Sequence, residues 1–242
     1  MLDAGFCFRP FANAMERQVQ AWQASGDRRS IFLDCYLRMT RNMLAALDDA
    51  EFQDAVWVDR LLERFAGYYF DALQMYERDR QGAPSVWRIA HDAAARDTMT
   101  LQNLFLGVNA HINYDLVLTL VELLSAEWKT LDETGRRSRY LDYIHVNTVI
   151  ARTIDVVQDE IVEHATPALR IVDDILGPLD EWATERLIAA WREAVWRDAV
   201  TMLETPDPVA REGHRRHVEA ATLRRAEWIL AGNLHQNSEQ VR

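Results

Sequence analysis

Turn-forming residues are scarce in this chain. Nine glycines and six prolines in 242 residues give too few reversal points for a sandwich or barrel, which turns roughly every 8–12 residues. An all-α fold is the expectation. Cys7 and Cys35 are the only cysteines, too few for a disulfide framework and wrongly spaced for a zinc ribbon or redox pair, which fits a reducing compartment. The first residues, MLDAGFCFRPFANAMERQ, lack a basic stretch followed by an apolar run, and no stretch of about 18 uncharged apolar residues occurs. The expectation is a cytoplasmic protein, neither secreted nor membrane-inserted. Basic charge is also short, 27 Lys and Arg against 38 Asp and Glu for a net −11, and such a balance repels a phosphate backbone and disfavours nucleic acid as a partner. Without G-x-x-x-x-G-K-[ST] or G-x-G-x-x-G, no nucleotide cofactor is expected, and without G-x-S-x-G, H-E-x-x-H or paired Glu-x-x-His, the common hydrolase and di-iron sites are excluded.

What is present reads as ordinary globular material, 49% hydrophobic and 27% charged. Helical periodicity runs from Phe11 to Gln23 and stops at Ala24-Ser25-Gly26-Asp27, with Ser30 the expected N-cap of a second helix ending near Leu47. Trp57, Leu61, Phe65, Tyr68, Tyr69 and Leu73 mark a third between Asp49 and Asp79, where Gly67 permits a bend. Gln81-Gly82-Ala83-Pro84-Ser85 is a loop, followed by a short helix from Val86 and a longer one from Thr98 to Trp128. Residues 136–166 hold no Gly or Pro and form a long helix. Pro167 and Gly177-Pro178 delimit a brief segment before the last two helices, Asp180 to Leu203 and Asp207 to Ala231. No linker or repeat divides the chain, so residues 1–232 read as one helical bundle of seven to nine helices, with a frayed tail at 233–242.

The most informative run is Leu104-Phe105-Leu106-Gly107-Val108-Asn109-Ala110-His111-Ile112-Asn113-Tyr114-Asp115-Leu116. On a straight helix His111, Asp115 and Glu122 fall within about 40° of one another, a polar line on an otherwise apolar rod that belongs at the centre of a bundle. Imidazole and carboxylate at i and i+4 can hold one divalent ion (Zn, Mn or Mg), and Gly107 leaves room for a ligand or a close helix. A buried His hydrogen-bonded to its neighbouring Asp explains the same pattern. A second intrusion lies farther on: Tyr143, Ile150, Ile154 and Ile161 form an apolar stripe that also carries Asn147 and Gln158, with Asp155 at its flank. An unpartnered buried amide costs roughly 1–3 kcal/mol, so these side chains are expected to face His111 and Asp115 from an antiparallel neighbouring helix, as a site or as a structural polar network. Trp182, Trp191, Trp196 and Trp228 with Arg186, Arg192 and Arg197 read mainly as core. From this region and the central helix, Tyr114, Trp191 and Arg192 are the expected substrate contacts. His91-Asp92 reads as an exposed pair, and His214 and His217 as surface.

The run from Gly107 to Leu116, with Val146-Asn147, Asp155-Val156-Val157-Gln158 and Ala190-Trp191-Arg192-Glu193-Ala194-Val195-Trp196, resembles a bacterial all-helical family known only as a domain of unknown function, from about Ile31 onward. That resemblance implies a fold and no activity. His111-x-x-x-Asp115 also resembles the H-x-x-x-D ligand motif of helical zinc-dependent phospholipases C and nucleases, but Val121 stands where another His would follow, which implies at most one or two ions. Asn147-x-x-x-Ala151-x-x-x-Asp155 has the spacing of the second metal motif of class I terpene cyclases, without its middle hydroxyl.

Together these readings favour a metal-assisted hydrolase or lyase of specialised metabolism. Its substrate is expected to be small, largely apolar and anionic, with His111, Asp115 and Asp155 catalytic, His111, Asp115 and Glu122 on the metal, and Asn147 and Gln158 on the substrate. The alternatives are a metal-free His/Asp cyclase or isomerase, a divergent diphosphate lyase, and a non-enzymatic ligand-binding protein.

Overall fold

A computed structural model describes the backbone of residues 6–163 and 181–231 and the side chains of 6–153 and 185–231. Among the described residues there are eight helices and no strand: α1 (Arg9–Ser25), α2 (Ser30–Asp48), α3 (Ala55–Arg78), α4 (Ser85–Ala94), α5 (Thr100–Ser125), α6 (Glu133–Glu163), α7 (Glu181–Glu204) and α8 (Pro208–Ala231). The short segment between Pro167 and Pro178 and the tail after Ala231 lie outside them.

Local chemistry accounts for most of the boundaries. α1 ends because Gly26 adopts φ +71°, while the Asp27 N–H returns to the Trp22 carbonyl at 2.8 Å, the glycine-terminated closure open to a residue without Cβ. Asp27, not Ser30, then serves the start of α2: its carboxylate accepts from the Arg29 N–H at 2.9 Å. Asp54 caps α3 through the Trp57 N–H, and Asp207 caps α8 ahead of Pro208 through Val209 and Ala210. α3 runs unbroken through Gly67.

α5 is the axis of the bundle and packs against α2, α3, α4, α7 and α8. It is long and apolar enough to cross a membrane, but 67% of that stretch is buried inside the protein. The expected antiparallel pairing of α5 with α6 is not what forms. Among the described residues α6 packs instead on α2 and α7, and it meets the chain just after α5 at its first turns, where Arg136 and Arg139 bond Trp128 and Glu127.

The helix–helix seams explain other parts of the run. At Gly107 an added Cβ would stand 2.4 Å from Phe32 Cγ, so the absence of a side chain is what lets the α2 ring lie against α5. Asn109 and Asn113 serve α8. The Asn109 amide donates to the Thr222 carbonyl at 3.0 Å, Asn113 donates to Asn109, and the Thr222 hydroxyl donates to the Asn113 carbonyl at 3.2 Å.

Candidate functional site

His111 to Asp115 form one π-helical turn within α5, closed by the Leu116 N–H bonding back to the His111 carbonyl. A π-turn holds one residue more than an α-turn, so everything after it is rotated against the straight-helix register. The consequence is plain at Glu122. It does not join the line of His111 and Asp115 but lies exposed on the surface, where Arg64 (2.9 Å) and the Tyr68 hydroxyl (2.8 Å) bond to its carboxylate.

His111 and Asp115 themselves are 3% and 1% exposed. Asp115 Oδ2 lies 3.0 Å from His111 Nδ1 and also accepts the Trp87 indole N–H at 2.9 Å. Because indole only donates, Oδ2 acts as an acceptor, and the simplest completion has His111 Nδ1–H donating to the same oxygen. The Nε2 atom then carries a lone pair, and it is buried with no hydrogen-bond partner. Burial drives the Asp115 carboxyl well above the usual carboxylate range, against the opposing effect of the Trp87 bond, and drives the His111 imidazole well below its ordinary value. Burial favours the uncharged form of each.

An aromatic cage surrounds this imidazole. Phe65 stacks face to face on it at 3.6 Å, Tyr36 meets it edge-on at 4.5 Å, and Phe32, Trp87 and Tyr69 complete the ring of contacts at 5.9–6.1 Å. The Tyr36 hydroxyl is likewise buried without a partner. Sequence reading missed the cage as a unit, yet a signal for it exists. Three successive helices each carry aromatic residues at i and i+4, namely Phe32/Tyr36, Phe65/Tyr69 and Trp87/His91, and such pairs share one helix face.

A cavity of about 140 Å³ adjoins the pair. Its wall is almost wholly apolar, with Phe8, Tyr36, Met43, Phe65 and Ile112 among its residues, and His111 and Arg192 also line it. Arg192 is 4% exposed. Its Nε donates to Asn147 Oδ1 and its Nη2 to the Tyr143 carbonyl, both at 2.7 Å, while its carbon lies 4.3 Å from the Tyr143 ring centre. The Tyr143 hydroxyl returns a bond to the Arg192 carbonyl at 2.7 Å. No carboxylate among the described residues pairs with this guanidinium, and burial lowers its pKa.

Several expected contacts are therefore reassigned. Asn147 holds Arg192 rather than facing Asp115, because α6 does not lie beside α5. Tyr114 points its hydroxyl to Arg215 on α8 (3.1 Å), since three residues beyond His111 is another face of the helix. Trp191, one residue from Arg192 and so turned about 100° away, is not in the described cavity wall. Trp196 is core against Trp128, Tyr140 and Tyr143, and Trp228 is 80% exposed. The side chains of Asp155, Gln158 and Trp182 lie outside the described residues. His91 is buried on Trp87 while Asp92 bonds Tyr76 and Arg80, so that doublet is no exposed pair.

The three expected metal ligands do not come together, because Glu122 lies apart on Arg64 and Tyr68, and among the described residues no three His, Cys, Asp or Glu side chains converge. What the arrangement offers is a neutral imidazole oriented by a carboxyl group, beside a cavity whose wall holds one unbalanced cation.

The architecture is thus that of an all-α bundle with a polar centre built on a π-turn. Residues 11–232 match a family of unknown function, DUF5995, and the chain belongs to that family. No curated protein and no solved structure matches it.

Proposed function

We propose that this protein is a metal-independent acid–base enzyme, an isomerase, cyclase or lyase, acting on a small, largely apolar molecule that bears one anionic group. The observation that carries this reading is Arg192, a buried guanidinium with no carboxylate partner among the described residues, in the wall of the same cavity as His111. A buried charge is costly unless balanced, and an anionic ligand supplies the balance. His111 Nε2 then takes a proton from the bound molecule while its Nδ1–H stays bonded to Asp115, which keeps the ring oriented, and the proton returns at another atom of the ligand. Such a cycle needs no co-reactant. The unpaired cysteines fit a cytoplasmic setting.

The test is mass-spectrometric profiling of a small-molecule extract incubated with purified protein in the presence of a chelator. Depletion of an apolar acid by the wild type, abolished in both His111→Gln and Asp115→Asn, is expected. Turnover that vanishes with chelator, or that persists in either variant, overturns the metal-free acid–base mechanism, and tight binding without turnover marks a carrier instead.

A further inference from the structure

We infer that the ligand of the cavity beside His111 and Arg192 is a hydrophobic monocarboxylate that places an apolar part of about the size of a benzene ring or a short branched chain in it. This deepens the reading above and rests on it. Three observations converge on that class.

The first is charge. Among the described residues that line the cavity, Arg192 is the one permanently cationic group, and His111 is kept neutral by burial. One positive charge is balanced by one negative charge, whereas a phosphate or diphosphate carries two or more and would leave the excess in an apolar chamber. The second is hydrogen-bond geometry. Asn147 occupies the Nε edge of the guanidinium and the Tyr143 carbonyl takes one Nη2 proton, so the lateral fork is spent. Nη1 has no partner among the described residues. What remains is the end of the guanidinium, where the two oxygens of a carboxylate meet Nη1–H and the second Nη2–H side by side. Asn147 and Tyr143 also fix the plane of the group, so a ligand spends nothing on ordering it.

The third is volume and lining. The cavity holds about 140 Å³, and a dry apolar cavity of about 150 Å³ accepts benzene. Phe8, Met39, Met43, Leu62, Phe65 and Ile150 offer only hydrocarbon, ring and thioether surface to the remainder of the molecule. A sugar or polyol would leave its hydroxyls unpaired there.

Benzoate is the probe. Isothermal titration with wild-type protein is expected to give saturable one-to-one binding at millimolar concentration or below, benzyl alcohol to bind at least about tenfold more weakly, and Arg192→Met to lose benzoate binding by a similar factor. Inorganic phosphate and pyrophosphate are expected not to compete. Benzoate affinity judges the ligand class and turnover of His111→Gln judges the chemistry, so that the two are read apart. If Arg192→Met fails to fold, alkylation at alkaline pH of Cys35, a thiol of the cavity wall whose pKa burial pushes up to about 11, supplies a second readout in a Cys7→Ser background, with benzoate expected to slow it. Displacement of benzoate by pyrophosphate, binding indifferent to Arg192, or neither saturable binding nor Cys35 protection by benzoate overturns the assignment. Lost turnover in His111→Gln together with Arg192-dependent benzoate binding in the wild type supports both proposals, whereas intact turnover in His111→Gln removes the mechanism and leaves the ligand class standing.

Discussion

Asp115 carries two hydrogen bonds on a single oxygen, from Trp87 and His111, and this sets what its replacements do. Asp115→Ala strands two buried N–H groups, each worth roughly 1–3 kcal/mol, so a loss on the order of 3 kcal/mol is expected in urea unfolding. Asp115→Asn keeps one carbonyl acceptor and is expected to lose clearly less. His91 supplies a separate test through pH. Burial lowers its pKa from 6.5 to about 4, so the folded chain binds fewer protons there than the unfolded chain between those values. Stability from this group is whole above pH 6.5 and falls as the pH drops toward 4, by about 3 kcal/mol in all. His91→Phe, which can keep the stack on Trp87, is expected to flatten that part of the stability profile. An unchanged profile would place His91 in a more solvated setting. At this scale the sequence displayed the pair but not its surroundings: i,i+4 spacing is enough to bring His111 and Asp115 together, while Trp87 and Phe65 reach them from other helices.

At the scale of elements, boundaries were legible wherever a short-range rule governs them. Gly26 and Asp207 end or begin helices through bonds to residues within about five positions, whereas the third helix, expected from Asp49, starts at Ala55 behind the Asp54 cap. Two features escaped for the same reason, that they depend on the assembled bundle. The π-turn at His111–Asp115 shifts the register so that Glu122 leaves the polar line, and nothing in the local residue types announces it. The partner of α6 is set by packing on α2 and α7, not by the short loop from α5. Gly107 offers a direct probe of the α2–α5 seam. Gly107→Ala puts a methyl group within 2.4–2.8 Å of the Phe32 side chain, and Phe32 is itself buried, so overpacking of about 1–3 kcal/mol is expected. Adding Phe32→Leu to Gly107→Ala should recover part of it. No recovery would show that the seam is closed by backbone contact alone.

For the whole molecule, the N-terminal segment matters more than its position in the chain suggests. Cys7 and Phe8 donate their N–H groups to the buried Asp59 of α3 at 2.9 and 3.1 Å, and Phe8 is one wall of the cavity. Asp59→Ala is therefore expected to lower the melting temperature and to speed alkylation of Cys35 several-fold, as the Phe8 end loosens. Unaltered Cys35 reactivity would mean that Phe8 is held by its apolar packing alone.

The most direct test of a neutral, oriented His111 beside a ligand cavity is the ¹⁵N chemical shift of its two ring nitrogens, assigned by comparison with His111→Gln. Expected is a protonated Nδ1 and a bare Nε2 that stay constant from about pH 6.5 to 8, with Nε2 shifting on benzoate addition in the wild type and not in Arg192→Met. A protonated Nε2, a titration within that range, or a ring blind to benzoate would contradict the assignment of this cavity as the functional site.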